Sequence, residues 1–310
     1  MPNTTLTGFV LNIIALSNSF ITSIICLIVL IILIFGRFYI KDVPLLLCTN
    51  TYLSIFAYSL ASGSLYIDAL LGDVQPEYKV KSFTLCYIRG SVVLALLSAI
   101  FGGFYLQAFF RLCRIIYQQH KTLHKYQVQV VFIVIKWLFS FTFIWLVDIE
   151  YLPTEYYCSI PFNDLKPMLL ASVIAYGFPS TLIALIYFRI VLYIRSRGYI
   201  VTIQRRTRRD FEIIRRIVII VSILWLLGLP SMILLFYGQI HGGIIHPLTY
   251  RIEWIAPSFA MIILSIFLIK FDPHLTQTLF PKRNHNYKIV NIHLNHLNPP
   301  RKASFFVSIK

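Results

Sequence analysis

Charge is what this chain has least of. Asp, Glu, Lys and Arg make up 13% of its 310 residues while hydrophobic residues reach 58%, and an average soluble domain carries about 25% charge. So little charge excludes a water-covered globule and leaves a membrane protein. Acids are scarcest, 12 against 28 bases. The resulting net charge of +16 falls in short blocks between apolar runs, which excludes a nucleic-acid surface. Cysteine is sparse as well: five residues, at 26, 48, 86, 113 and 158, with no Cys-x-x-Cys spacing, give neither a disulfide scaffold nor a cysteine metal site. The eight histidines lie in loops and the tail without a helical His-x-x-x-His, and there is no phosphate loop or close carboxylate pair in an apolar setting. No enzymatic activity, cofactor or metal is therefore expected. A cleavable signal peptide would need a positive start, a shorter apolar core and a small-residue cleavage site, none of which the amino-terminal segment has.

What the chain does have is apolar runs, and seven of them predict an all-α seven-helix membrane bundle, with helices at about 18–38, 44–71, 83–117, 126–147, 167–197, 208–237 and 247–270. Residues 1–17 are expected to form a short extracellular amino terminus, where Asn3-Thr4-Thr5 is an acceptor pattern for N-glycosylation. Residues 272–281 are expected to be a short amphipathic helix on the membrane surface and 282–310 a cytoplasmic disordered tail. In the second run Asn50, Tyr52, Ser54, Tyr58 and Ser62 recur near helical spacing, a polar stripe suited to a face turned toward other helices. In the third, Ser91, Ser98, Tyr105 and Gln107 are the hydrogen-bonding side chains of a long apolar rod that starts at Cys86 and leaves the apolar zone at Arg111. Lys136 is the one charge deep inside a run.

The loops set the orientation. The first, third and fifth connections with the tail hold 22 bases against four acids, and the opposite side holds five bases against eight acids. That asymmetry puts the amino terminus outside and the tail in the cytoplasm, a multi-pass topology expected at the plasma membrane.

Several landmarks, taken together, resemble the rhodopsin-like G-protein-coupled receptors over about residues 18–281. Arg111 in Phe110-Arg111-Leu112 stands where the family has the arginine of its Asp-Arg-Tyr motif, 25 residues after Cys86. Trp137 resembles the fourth-helix tryptophan, Pro179 and Tyr187 the fifth-helix proline and tyrosine, and Pro230 the sixth-helix proline. Gly228 occupies the place of the usual sixth-helix tryptophan, for which Trp225, one turn earlier, is expected to stand in. The resemblance implies a disulfide between Cys86 and Cys158, tethering the second outer loop over the bundle mouth. It also implies an activation switch and G-protein contact formed by Arg111, Tyr187, Pro179 and Pro230. Phe110 replaces the acid that normally restrains the arginine, so Asp210, 20 residues before Pro230, is the expected partner.

The function this implies is a receptor that binds an extracellular ligand and activates a heterotrimeric G protein. Val93 stands where amine receptors of the family carry an aspartate, which argues against a biogenic amine, and the outer half of the seventh run has no lysine for a covalent retinal. Tyr66, Arg89, Val93 and Glu253 are the expected pocket residues, and the charged, aromatic outer face suits a peptide ligand. The alternative is a seven-helix transporter or channel, which would ordinarily show internal repeats and several buried charges. No repeat is present.

Overall fold

Residues 2–35, 42–75, 83–142, 147, 149–152, 156–161, 165–196 and 248–271, with 222, 225, 232–234, 236–238 and 240, are described by the structure, a computed structural model. Long helices dominate it. They are α1 (Pro2–Phe35), α2 (Val43–Val74), α3 (Phe83–Ile115), α4 (Tyr126–Thr142), α5 (Leu165–Ala171), α6 (Phe178–Ser196) and α7 (Thr249–Phe271). A π-helical segment, Ser172–Gly177, joins α5 to α6 in one continuous rod, and a 3-10 turn, Lys121–His124, precedes α4.

Five of the described segments are long and apolar enough to cross a membrane, namely Leu6–Phe35, Val43–Val74, Thr84–Ile115, Leu165–Tyr193 and Thr249–Lys270. The fourth, α4, is apolar but has only 17 residues. Most of the sixth expected run, with Asp210 and Pro230, lies outside the described residues, as do the expected surface helix and tail.

Two boundaries differ from the sequence expectation. Helix α1 starts at Pro2 and not at 18. Residues 1–17 lack charge, and their apolar positions, Val10, Ile13 and Ile14 among them, continue the helix face without a break. Asn3 therefore lies in the first turn of a helix. The connection expected between the fourth and fifth runs contains a small antiparallel hairpin, β1 (Glu150–Leu152) with β2 (Tyr157–Ser159), in the register Glu150 to Ser159, Tyr151 to Cys158 and Leu152 to Tyr157.

Packing follows the polar stripes. Helix α1 packs on α2 and α7, and α3 packs on α2, α4 and α6. Outward faces carry exposed Ile, Leu and Phe, such as Ile21, Ile24, Ile28 and Phe188, as lipid contact requires. The inward face of α2 is polar and buried: Asn50, Ser54, Ser59 and Ser62 lie beside fully buried Tyr52 and Tyr58. These groups find partners across helices, because an unpaired polar group in hydrocarbon costs several kcal/mol. Ser23 shares a 2.7 Å hydrogen bond with Ser59, Asn18 Nδ2 donates to Ser258 Oγ at 3.1 Å, and the Tyr52 hydroxyl donates to the Ser265 carbonyl at 3.1 Å. Gln107 Nε2 on α3 donates to Thr51 Oγ1 on α2 at 2.8 Å.

Candidate functional site: a capped cavity and the two ends of α3

At its outer end α3 is tied to the hairpin. Cys86 and Cys158 form a disulfide with their Cα atoms 5.4 Å apart. Glycine at position 90 lets the hairpin lie directly on the helix, since a Cβ there would stand 2.9 Å from the Cys158 carbonyl oxygen and 3.1 Å from Ile149. Val147, Ile149, Cys158 and Ile160 then pack with Met168, Ala171 and Ala175 of the fifth rod into an apolar roof.

Beneath that roof is a cavity of about 130 Å³. Its wall is apolar on three sides: Leu94, Leu97 and Phe101 from α3, Met168 and Ala175 from the fifth rod, and Pro257, Ala260 and Met261 from α7. The polar members of the lining among the described residues are Ser159, Ser172, Tyr176, Trp254 and Glu253. Tyr176 stacks edge-on against Phe101 with centroids 5.0 Å apart, and Trp225 lies 6.0 Å from the Tyr176 ring, beside the cavity where a sixth-run aromatic was expected.

The π-helical segment shapes this wall. Pro179 has no N–H to give the carbonyl of Ala175 four residues back, and its ring would crowd that carbonyl in a regular α-turn. The chain answers by widening, so the Phe178 N–H reaches five residues back to the Val173 carbonyl. Ser172, Ala175 and Tyr176, all in the widened turn, line the cavity.

The other expected pocket residues separate. Glu253 lines the cavity, whereas Val93 is fully buried in helix packing and takes no part in the lining. Tyr66 is buried on α2, donates to the Trp254 carbonyl at 3.4 Å, and borders a smaller void with Ser62, Leu65 and Trp254. Arg89 pairs with Asp68 of α2 at 2.6 Å and is 35% exposed, on the rim rather than in the wall.

Sequence reasoning missed a second outer feature. Arg251 of α7 makes a two-pronged ion pair with Asp73 at the end of α2, Nη1 to Oδ2 at 2.9 Å and Nη2 to Oδ1 at 2.8 Å. Both side chains are buried, 7% and 8% exposed, and Asn12 Nδ2 of α1 adds a 3.0 Å bond to the same carboxylate. Gly8 leaves room for the guanidinium on the α1 side. Three helices thus meet at one charge pair, two residues before Glu253. An acid at the outer end of one run and a base at the outer start of another were the available signal.

Midway along the bundle, Lys136 is buried against α2, with Nζ 3.4 Å from Asn50 Oδ1 and 3.3 Å from Ser54 Oγ. The Trp137 indole N–H donates to the same Asn50 oxygen at 2.9 Å. Glycine at 102 makes room for the lysine stem, because a Cβ there would lie 2.8 Å from Lys136 Cγ. Asn50 is the shared acceptor for both neighbours. Asn50→Ala is therefore expected to lower stability by about 1–3 kcal/mol, since it strands the Trp137 indole N–H and leaves Lys136 with Ser54 as its acceptor, while Lys136→Met is expected to be milder or even stabilising. Thermal denaturation of the two purified variants in detergent checks the order; an Asn50→Ala protein as stable as the parent contradicts it.

At the inner end of α3, Arg111 is half-buried and the guanidinium lies within electrostatic reach of the Tyr187 hydroxyl on α6. Tyr187 is itself buried, and its hydroxyl makes no hydrogen bond among the described residues. Phe110, beside Arg111, packs into a small cluster with Val43, Leu47 and Leu106. No group of three or more His, Cys, Asp or Glu that could hold a metal ion occurs among the described residues.

The described helices, five of them long and apolar enough to cross a membrane, with a disulfide-tethered hairpin over a cavity, form the bundle of a multi-pass membrane protein. The crystal structure of squid rhodopsin is similar to it with a TM-score of 0.70 over 89% of this chain and 86% of that chain, at 15% sequence identity. No protein-family model and no curated protein sequence matches the chain.

Proposed function

We propose that this chain is a plasma-membrane receptor, with its amino terminus outside, that binds an extracellular ligand beneath the hairpin and activates a heterotrimeric G protein at its cytoplasmic face. The observation that carries the reading is the layout of α3. One end of this rod, roughly 50 Å long at 1.5 Å per residue, forms the floor and tether of a capped cavity, and the other holds Arg111 beside buried Tyr187. A ligand that changes the packing around Phe101 and Tyr176 acts on the same helix pair, α3 and the fifth rod, that sets the Arg111 environment. Such a pair can hold two arrangements, and a ligand shifts their populations by its differential affinity.

The basic sixth-run start, Arg205 to Arg216, supplies the cytoplasmic surface for the transducer and for anionic lipid. Pro230 serves as the hinge of that helix and Asp210 as the resting partner of Arg111. The extracellular ligand is a peptide or a fragment of similar chemistry, drawn by the acidic outer loops. Asn3, in the pattern Asn3-Thr4-Thr5, is the glycosylation site of the outer segment.

The test is guanine-nucleotide exchange on a panel of heterotrimeric G proteins by the purified chain in lipid nanodiscs, with and without peptide pools. Exchange above that of empty nanodiscs is the expected result, and none with any G protein refutes the reading. On the same assay Asp210→Ala is expected to raise ligand-independent exchange several-fold, at the roughly 1–3 kcal/mol typical of such couplings. Unchanged basal exchange in an active receptor removes Asp210 from the switch.

A further inference from the structure

We infer that Tyr156 is a releasable catch. Seated on Gly72 of α2 it holds the loop end of the outer hairpin down; lifted, with Cys158 still bonded to α3, it opens the cavity from the α2 side. The inference goes beyond the ligand-binding reading above and stands on the hairpin and α2.

Two departures from ordinary local structure meet at this contact. Tyr156 has a φ of 61° and is the one non-glycine residue at positive φ among the described residues. That left-handed conformation is unfavourable for an L residue, and for a bulky side chain it is an outlier. On the other side, Gly72 lies within α2, where glycine weakens a helix relative to alanine. The Tyr156 ring accounts for the glycine: a Cβ at position 72 would run into that ring, which lies against bare helix backbone. Gly63 in the same helix has no such neighbour, the nearest being Ser19 Cβ at 3.9 Å. The Tyr156 N–H donates to the Leu152 carbonyl at 2.9 Å, closing the turn that aims the ring at α2. Local rules broken on both sides of one contact mark a place where structure is kept for use.

The seat is firm. Asp73, the residue after Gly72, takes the two-pronged ion pair with Arg251 of α7 and the bond from Asn12 of α1. Asp68, one turn earlier, pairs with Arg89 of α3. The hairpin is therefore the part that moves. Its other anchor is two residues away, where Cys158 is bonded to Cys86 and lies on Gly90. That bond is covalent and the Gly72 contact is not, so the hairpin can pivot at Cys158 and leave α2 without leaving α3. Ser159 and Ile160, which follow the pivot, line the cavity. Lifting loses the packed ring but relaxes the backbone at Tyr156, two changes of opposite sign, which makes the catch reversible.

The experiment uses neither ligand nor G protein, so its failure leaves the receptor reading standing, and a failed exchange assay leaves the catch standing. The full chain in nanodiscs carries Ser172→Cys as a reporter in the cavity wall. Labelling of position 172 by a charged, water-soluble methanethiosulfonate is timed by peptide mass spectrometry, which separates it from the buried Cys26, Cys48 and Cys113. Gly72→Ala should label at least about fivefold faster than the parent, because the added Cβ unseats the ring. Tyr156→Gly should do the same, and adding Gly72→Ala to it should change nothing further, since the Cβ then meets no ring. In thermal melts Tyr156→Gly should melt above Tyr156→Ala, the reverse of the order at an ordinary φ.

Labelling of either single variant at the parent's rate overturns the inference. So does a Gly72→Ala acceleration that persists in the Tyr156→Gly background, which would place the role of the glycine in α2 itself. Tyr156→Ala melting above Tyr156→Gly removes the strain and with it the release. The Tyr156→Gly comparisons hold even if Gly72→Ala alone folds poorly.

Discussion

Asp73→Ala is expected to destabilise the protein by about 3–5 kcal/mol, the usual cost of leaving a buried charge unpaired. The removed carboxylate holds both nitrogens of Arg251 and accepts from Asn12, with each member of the ion pair less than a tenth exposed. What remains is a buried guanidinium between α1 and α7 that has lost its two-pronged partner. The double variant Asp73→Ala/Arg251→Ala should recover part of the loss, because it removes the stranded charge as well. A double-mutant cycle on Tm in detergent measures this: strong non-additivity is the expected outcome, and two independent, additive losses would show that the pair does not act as a unit.

Cutting the disulfide should be comparably large. Cys86 and Cys158 are separated by 72 positions, and in the entropic account closing a loop of that length restrains the unfolded chain by about 4 kcal/mol. Cys86→Ser and Cys158→Ser are each expected to cost about 2–5 kcal/mol, and to lose sensitivity to reductant that the parent shows in a thermal melt. The two variants should match each other and the reduced parent. If one serine variant melts like the oxidised parent, the bond does not restrain the hairpin. A functional consequence follows from the roof: Ile149 and Ile160 sit against Met168 and Ala171 only while the hairpin is held on α3. Ligand affinity should fall more than folding does.

The parts of this arrangement that were readable from the residues are those written in one dimension. Apolar runs announce helices because each must fill a bilayer alone, and the stripe Asn50, Tyr52, Ser54, Tyr58 and Ser62 announces the buried face of α2 because its period is local; all five are buried. Cys86 and Cys158 were legible from the resemblance and from lying on the same side. Lys136 was visible as a lone charge, but its acceptors on α2 were not.

What the residues did not disclose depends on which helix stands beside which. Asp73 and Arg251 are 178 positions apart, and only the close approach of α2, α7 and α1 turns two separate outer charges into a pair. Glu253 could be named a pocket residue, yet which described residues share the wall with it depends on how α3, the fifth rod and α7 stand together. The hairpin was hidden for another reason: Glu150–Leu152 and Tyr157–Ser159 are three residues each, too short for alternation to register. The widened turn before Pro179 was readable only as far as a missing hydrogen bond; whether the helix kinks or expands is settled by the neighbours.

The three-helix charge pair also constrains how this protein is made. Its members sit on helices that leave the ribosome far apart in time, and at about 5–20 residues per second the 178 positions between Asp73 and Arg251 correspond to roughly 10–35 s of synthesis. During that interval α1 and α2 have already entered the bilayer with an acid and Asn12 awaiting a base that does not yet exist. The nascent bundle must be sheltered, or its acid kept at the water boundary, until the last helix arrives to close the ring.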